Sequence, residues 1–424
     1  MATLLLTLVL LVSLAFGIPI VYSFLLAAAI TILLADTGIS FTFMAQSMTV
    51  AVDSFPLMAV PFFILAGFIM GRGGISKRLF ALANALVGHL PGGIGVAAVL
   101  TAMFFSAISG SALATTAAIG HIMIPEMVRV GYTRRYSAAL IAASGAIGVV
   151  LPPSIPLVLF GVVTGTSIGD LFIAAVIPGI LMGLALMGWV IVHARRNHIQ
   201  ASTRSTGLER LQALRGSIGG LLMPIIILGG IYGGVFTPTE AAVVAVVYGL
   251  VVSLLFYRES TVHEILGTFG RSAISTSGLM VIVAAAVVFG HFLTIEGVPE
   301  TLVSSISGVS DNPTVIILLA VLLLLLIGTF MDTIPAILLT SPVLVPVLAE
   351  IGMDPIHIGV VVVVLLAIGF ITPPFGPNVF IAADTAKVSS EKVLVSIVPG
   401  LLLLIGVALI VSFVPWLSMV FISS

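Results

Sequence analysis

The chain has 424 residues, 60% of them hydrophobic and 7% charged, with a net charge of −1; soluble domains carry about 25% charged residues. Apolar stretches of about 20 residues succeed one another along nearly the whole length, which predicts an all-α polytopic membrane protein. Their continuity argues against a barrel, whose strands would alternate. The absence of cysteine excludes disulfides, thiolate chemistry and Cys-ligated metals.

The N-terminus is apolar from Leu4 onward, with no basic residue before Arg72. A secretory signal needs a positive leading region, so this stretch reads as a first span. Spans are predicted near 2–18, 20–36, 56–71, 135–165, 170–193, 217–234, 238–257, 271–293, 357–384 and 394–417. Two further apolar segments, 91–129 and 313–350, are interrupted by Ser109-Gly110-Ser111 and by Gly328-Thr329 with Asp332-Thr333. Both read as re-entrant hairpins. The basic residues cluster at Arg72/Lys77/Arg78, Arg129/Arg134/Arg135, Arg195 through Arg215, Arg258/Arg271 and Lys387/Lys392. Lys and Arg mark the cytoplasmic side. Ten spans and two hairpins put every cluster inside and both termini outside. The stretch holding Glu296, Glu300, Asp311, Glu350 and Asp354 is then external. The polar segment 193–216 reads as a cytoplasmic linker, with Glu209, Arg210 and Arg215 either on an amphipathic surface helix or on a solvated connector.

Two Pro-Pro pairs interrupt long apolar segments, in Leu151-Pro152-Pro153-Ser154-Ile155-Pro156 and in Thr372-Pro373-Pro374-Phe375-Gly376-Pro377. Proline lacks an N–H and clashes with the preceding turn, so neither segment, 135–165 or 357–384, continues as one helix. Backbone freed at membrane depth is tolerated only against protein or a water-filled cavity. Paired breaks of this kind point to the binding site of a secondary transporter.

The breaks belong to an internal repeat. Pro152 and Pro373 lie 221 positions apart, and the same offset pairs Pro125 with Pro346, Gly131 with Gly352, Gly148 with Gly369, Pro156 with Pro377 and Pro178-Gly179 with Pro399-Gly400. Upstream the offset is 223, pairing Gly67 with Gly290. This predicts two repeats, 1–192 and 217–424, each of five spans plus one hairpin. Because five is odd, the second copy is inverted.

Ser109, Gly110 and Ser111 offer hydroxyls and a sharp reversal at the first hairpin tip, and the returning helix offers N–H groups. Ser144, Gly145 and Gly148 bring carbonyls toward the break at Pro152. Sodium takes such oxygen ligands. The second half repeats the parts with Gly328, Thr329, Asp332 and Thr333 at the tip, Gly369, Thr372 and Pro373 at the break, and Gly376 and Asn378 after it. Asp332 occupies the position equivalent to Ser111. An intramembrane acid is a cation ligand or proton carrier by default, against the alternative that it only caps the returning helix. No Lys or Arg lies inside a predicted span. An anionic substrate is therefore expected to be held by helix N-termini, hydroxyls and bound cations, near Ser111, Pro153, Ser154, Gly376 and Asn378. For Ser154 and Asn378 singly, helix capping is the simpler role. Small-residue packing is the corresponding alternative at the Ser109–Ser111 tip; the adjoining break favours function.

Thr237 or Thr239 is expected to cap the helix that begins near Pro238, with Glu240 in its first turn. His89, His121, His291 and His357 are too scattered for a zinc site, Trp189 and Trp416 read as interfacial anchors, and no Walker motif is present.

Several segments together resemble the large membrane subunit of tripartite ATP-independent periplasmic (TRAP) transporters. They are Phe55-Pro56-Leu57-Met58-Ala59-Val60-Pro61-Phe62-Phe63, Ser109-Gly110-Ser111-Ala112, Ile124-Pro125-Glu126-Met127, Gly131-Tyr132, Pro152-Pro153-Ser154, Phe236-Thr237-Pro238-Thr239-Glu240-Ala241-Ala242 and Thr372-Pro373-Pro374. The resemblance implies sodium-driven import of an organic acid, such as a C4-dicarboxylate, sialic acid or another sugar acid, across the bacterial inner membrane. It implies an elevator in which hairpins and broken helices move as one body, and no cofactor besides the coupling ion. Its expected partners are a separate small subunit of about four spans and a periplasmic protein that delivers the substrate; no nucleic acid is expected. Sodium sites in the resembled family map onto Ser109–Ser111 with Gly145–Pro153, and onto Gly328–Thr333 with Gly369–Pro373. The rival readings are a stand-alone ion-coupled organic anion antiporter or exporter, and an intramembrane enzyme. The second suffers because the repeat sets Ser111, not a second acid, opposite Asp332.

Overall fold

A computed structural model describes residues 2–35, 38–72, 74–258, 261–298 and 312–422. Glu300 and Asp311 of the acidic stretch lie outside the described residues. Among those described, all regular structure is helical. Seven helices are long and apolar enough to cross a membrane, or eight if one bent pair counts as a single span.

The chain opens with α1 (Ala2–Ala15) and α2 (Ile20–Leu34), both shorter than the sequence predicts. Gly17, at φ 73°, and Pro19 end the first and start the second. Next come α3 (Phe41–Val52) and α4 (Ala59–Arg72), the latter preceded by a 3₁₀ turn at Pro56–Met58. These two make the bent pair, at 60°. Only the second arm is predicted from the sequence, because Thr42, Gln46, Ser47 and Thr49 dilute the apolar signal of the first. Helix α5 (Ile75–Val87), also missed, is amphipathic: Ile75, Leu79, Leu82 and Ala83 are buried while the chain beside them carries Lys77 and Arg78.

The segment 91–129 resolves into α6 (Gly93–Ser109) and α7 (Ala112–Arg129), joined by two residues. The first broken segment is α8 (Arg134–Ala146), a 3₁₀ turn at Ile147–Val149, and α9 (Ile155–Thr164). Helix α10 (Ile168–Arg196) follows and runs past the predicted span end. Ser167 caps it, Asp170 lies in its first turn and Arg195 and Arg196 in its last, each charge matching the helix dipole.

The second half begins with α11 (Gly207–Tyr232), so Glu209, Arg210 and Arg215 lie in the first turns of a 26-residue helix. It continues with α12 (Pro238–Val251), extended by a π turn to Phe256, and α13 (Val262–Ile295). All three helices start with a capping box, from Thr206/Glu209, Thr237/Glu240 and Thr261/Glu264. Of the two threonines weighed, Thr237 is the cap; Thr239 instead donates to the Phe55 carbonyl at 3.1 Å, tying α12 to the start of α4. Replacing Thr237 with Ala removes the acceptor for the Glu240 N–H. It is expected to cost about 1 kcal/mol of stability, readable as a lowered thermal transition in detergent with helicity retained.

The segment 313–350 forms α14 (Pro313–Phe330) and α15 (Thr333–Glu350), joined by Met331 and Asp332. The second broken segment is α16 (Pro355–Gly369) and α17 (Pro377–Ala386), and α18 (Ser390–Phe413) and the short α19 (Trp416–Met419) close the chain. Both Pro-Pro bonds, Pro152–Pro153 and Pro373–Pro374, are cis.

The broken segments occupy the centre. Every residue of α8 from Tyr136 to Ala146 is buried, as is every residue of α16 from His357 to Gly369. Helix α8 packs antiparallel to α17: Asn378 Nδ2 donates to the Ala142 carbonyl at 3.1 Å, and Arg134 to the Ala386 carbonyl at 3.5 Å. Gly359 of α16 lies against the Phe160 ring of α9, which would stand 2.6 Å from an added Cβ. Helices α11 and α18 by contrast expose Leu222, Ile225, Leu402 and Leu403, a surface suited to hydrocarbon.

Candidate functional site

At the first hairpin tip, Gly110 takes the left-handed conformation, φ 59°, and its N–H closes α6 onto the Ser106 carbonyl. Ser111 is extended and its hydroxyl caps α7 by accepting from the Ala114 N–H. The tip then rests on the first break. A Cβ at Gly110 would stand 2.7 Å from the Pro153 carbonyl oxygen, and one at Gly148 would stand 2.7 Å from the Ser111 carbonyl oxygen and 2.8 Å from Thr115 Oγ1. A Cβ at Gly145 would collide with the Thr116 hydroxyl, which is buried without a hydrogen-bond partner. The glycines of the tip and of the first broken segment therefore allow close contact that any side chain would prevent. The result is a cluster of hard oxygens. Ser109 Oγ lies 2.9 Å from Thr115 Oγ1 and 3.4 Å from the Ser111 carbonyl, with the Pro153 carbonyl at the same tip. Such oxygens suit a small hard cation.

The second tip is built alike with one change of chemistry. Asp332 is extended, exposed, and caps α15 by accepting from the Ile334 N–H at 3.2 Å. Ser111 and Asp332, 221 positions apart, thus both cap the returning helix. The Gly328 and Gly369 backbones touch, since a Cβ at Gly369 would fall on the Gly328 carbonyl group. Thr333 is 1% exposed and its hydroxyl has no partner. Thr329 and Thr372 donate back into their own helices, to the Leu326 and Ile368 carbonyls.

Both tips open onto one cavity of about 360 Å³. Ser109, Gly110 and Ser111 line it from one side, and Asp332 and Thr333 from the other. Ile155 and Pro156 reach it from the start of α9, and Phe370 from the second break. Among the contributors that the sequence does not single out as site residues are Gly67 of α4 and Ser275 of α13. A Cβ at Gly67 would approach the Ser109 carbonyl oxygen to 3.3 Å, so this glycine lets α4 lie against the tip.

The remaining candidate residues do not line this cavity. Gly145, Gly148, Pro152 and Pro153 support the first tip from behind, and Gly328, Gly369, Thr372 and Pro373 belong to the second tip and its break. Ser154 is fully buried; its hydroxyl donates to the Val149 carbonyl and caps α9 through the Leu157 N–H. Asn378 is fully buried and bridges to α8, with Oδ1 lacking a partner. Gly376 precedes α17, and a Cβ there would stand 2.9 Å from the Phe370 carbonyl oxygen.

Residues 7–417 match the family described as the tripartite ATP-independent periplasmic transporter, DctM component. The chain is 42% identical over 406 residues to the isethionate TRAP transporter permease protein DctMQ of Oleidesulfovibrio alaskensis, covering 96% of this chain and 64% of that one. It is 40% identical over 394 residues to the C4-dicarboxylate TRAP transporter large permease protein DctM of Pseudomonas aeruginosa, covering 93% and 92%. Its fold is similar to that of the YdaH transporter of Alcanivorax borkumensis, with a TM-score of 0.60 at 16% identity over 89% of this chain and 87% of that one. The chain is thus a multi-pass membrane protein and belongs to the DctM component family of tripartite ATP-independent periplasmic transporters.

Proposed function

We propose that this chain is the large permease subunit that imports an organic acid across the bacterial inner membrane by sodium symport. The observation that carries the reading is the convergence of both hairpin tips, each resting on a proline-broken helix, upon one cavity. The oxygens at Ser109, Ser111 and Thr115 and the acid at Asp332 give one cation position per tip. The matched order of hairpin, broken helix and closing span in the two halves supports an inverted repeat, with both termini periplasmic. The broken helices, joined through Asn378 and Ala142, then move with the hairpins as one body against α1–α4 and α11–α13, as an elevator does.

Two partners complete the proposal: a small membrane subunit and a periplasmic binding protein that delivers the acid. The isethionate relative, named DctMQ and longer than this chain, fits a joined small subunit in that protein. The names of the relatives above, for isethionate and C4-dicarboxylate, support an organic acid. The energetics suffice. A tenfold sodium gradient supplies about 1.4 kcal/mol per ion, and about 100 mV adds roughly 2.3 kcal/mol per charge. Two ions then give about 7 kcal/mol, less about 2.3 kcal/mol for carrying a monoanion inward.

The test is uptake into proteoliposomes holding this chain and its small subunit, with the binding protein and labelled acid outside. An inward sodium gradient should drive accumulation, and replacing sodium with choline should abolish it. Equal uptake without the binding protein would favour a stand-alone carrier instead. Orientation is checked separately. A cysteine placed at Gln200, in a chain with no native cysteine, should resist an impermeant reagent added from the periplasmic side.

A further inference from the structure

The cavity between the tips has two unlike ends. At the first tip two helices begin side by side, α7 at Ala112 and α9 at Ile155, and both residues face the cavity. The first amides of a helix have no partner within it. In α7 the Ala114 N–H goes to the Ser111 hydroxyl and the Thr115 N–H to the Ser111 carbonyl. Those of Ala112 and Leu113 are left for whatever enters, under the positive ends of two helix dipoles. The other end holds Asp332, exposed, and the buried Thr333 hydroxyl, which has no partner. Among the described residues, no Lys, Arg or His lines the cavity. Between the ends, apart from the exposed Ser275, the wall is apolar: Ile64, Phe68, Leu113, Leu279 and Phe370.

We infer that the cavity takes an organic acid with one anionic head and an apolar body, in preference to a dicarboxylate or a polyhydroxylated sugar acid. The inference deepens the symport reading above and rests on it. The head lies at the first tip, where amides and helix dipoles favour a negative charge and no carboxylate competes. A second carboxylate at the far end of the molecule would have to share the cation at Asp332 with that carboxylate, since no basic side chain among the described residues lines the cavity to hold it. Hydroxyls along the body would face Phe68, Leu279 and Phe370, which offer no hydrogen bond. Each hydroxyl left unpaired weakens binding about tenfold. Each methylene buried against the same wall strengthens it roughly fourfold. Thr333 and Ser275 each provide a hydroxyl, enough for two further polar groups on the acid.

The experiment uses the full chain purified with its small subunit in detergent, in sodium chloride and in choline chloride. Ligand binding to the folded state stabilises it by RT ln(1 + L/Kd) at free ligand concentration L, so a tighter ligand gives the same rise in thermal transition at a lower concentration. The probes are 2-oxobutyrate, 4-methyl-2-oxopentanoate and phenylpyruvate, against succinate and gluconate. In sodium the single-headed acids should stabilise, at concentrations that fall as the apolar body grows. Succinate and gluconate should need at least about tenfold more for the same shift. If succinate or gluconate acts at equal or lower concentration, the inference fails while the organic-acid reading stands. If no acid shifts the transition in sodium, the organic-acid reading fails with it. A Leu279→Asn variant adds an independent measurement by placing an amide on the wall. It should narrow the gap between gluconate and 4-methyl-2-oxopentanoate, and an unchanged ratio with an intact fold would also overturn the assignment.

Discussion

Gly369→Ala is expected to abolish most sodium-driven uptake and to lower the thermal transition. The added methyl would fall on the carbonyl group of Gly328, which is backbone, so no rotamer change relieves it. Either α14 moves off α16 or the second break opens, and both disturb the tip that presents Asp332. Overpacking of a tight contact costs about 1–3 kcal/mol, and a cation site loses affinity when its oxygens shift. The expected loss is therefore at least about tenfold in uptake at limiting sodium. The comparison that gives the result meaning is Gly290→Ala in α13. There the new methyl would meet only Pro342 Cγ at 3.7 Å, an ordinary contact. Alanine also favours a helix interior by about 1 kcal/mol over glycine. That variant should transport normally and melt no lower than the parent. Equal behaviour of the two would mean that the Gly328–Gly369 approach is not needed for function.

Which of these features the sequence reveals depends on whether the controlling chemistry is local. The breaks at Pro152 and Pro373 are legible because proline forbids a continuous helix wherever it sits. The cap near Pro238 is legible as Thr237 or Thr239 because cap and partner lie close in sequence; the boxes at Thr206 and Thr261 emerge only with the helices that they start. The tips at Ser109–Ser111 and Gly328–Thr333 stand out as small or polar residues inside apolar runs. What the sequence does not reveal is which residues face one another across the fold. Asn378 reads as a substrate ligand or a cap, yet its side chain spans 236 positions of sequence to reach Ala142. Gly67 is one glycine among 43 until α4 is laid against Ser109. Ser275 sits in a helix whose apolar run gives no hint that one face meets a cavity. Helix α3 is missed for a different reason. Its polar residues place it below any span threshold, and only packing beside α13 shows it to be the first arm of a bent pair.

The equivalence of Ser111 and Asp332 separates structure from function in a way the repeat alone cannot. Both residues cap the returning helix, so capping explains why each position holds an oxygen. It does not explain why one of the two is an acid, because serine and aspartate cap about equally well. The charge is then a surplus over structural need, in a cavity with no basic partner. Asp332→Asn isolates that surplus. Asparagine keeps the shape and an oxygen for the Ile334 N–H, so folding and assembly with the small subunit should be unchanged. What disappears is one negative charge that, in the proposed symport, faces a bound cation. At about 4 Å and an effective dielectric near 20 that attraction is about 4 kcal/mol before desolvation offsets part of it. Half-maximal sodium for uptake should therefore rise by about ten- to a thousandfold, and the sodium-induced rise in thermal transition should shrink in step. Asp332→Ala should show the same sodium defect plus about 1 kcal/mol of lost stability from the missing cap. Ser111→Ala, at the other tip, should lose the cap as well but weaken sodium activation less, since a neutral hydroxyl is removed. An Asp332→Asn permease with the parent's sodium activation curve would reduce the acid to a cap and move the second cation elsewhere.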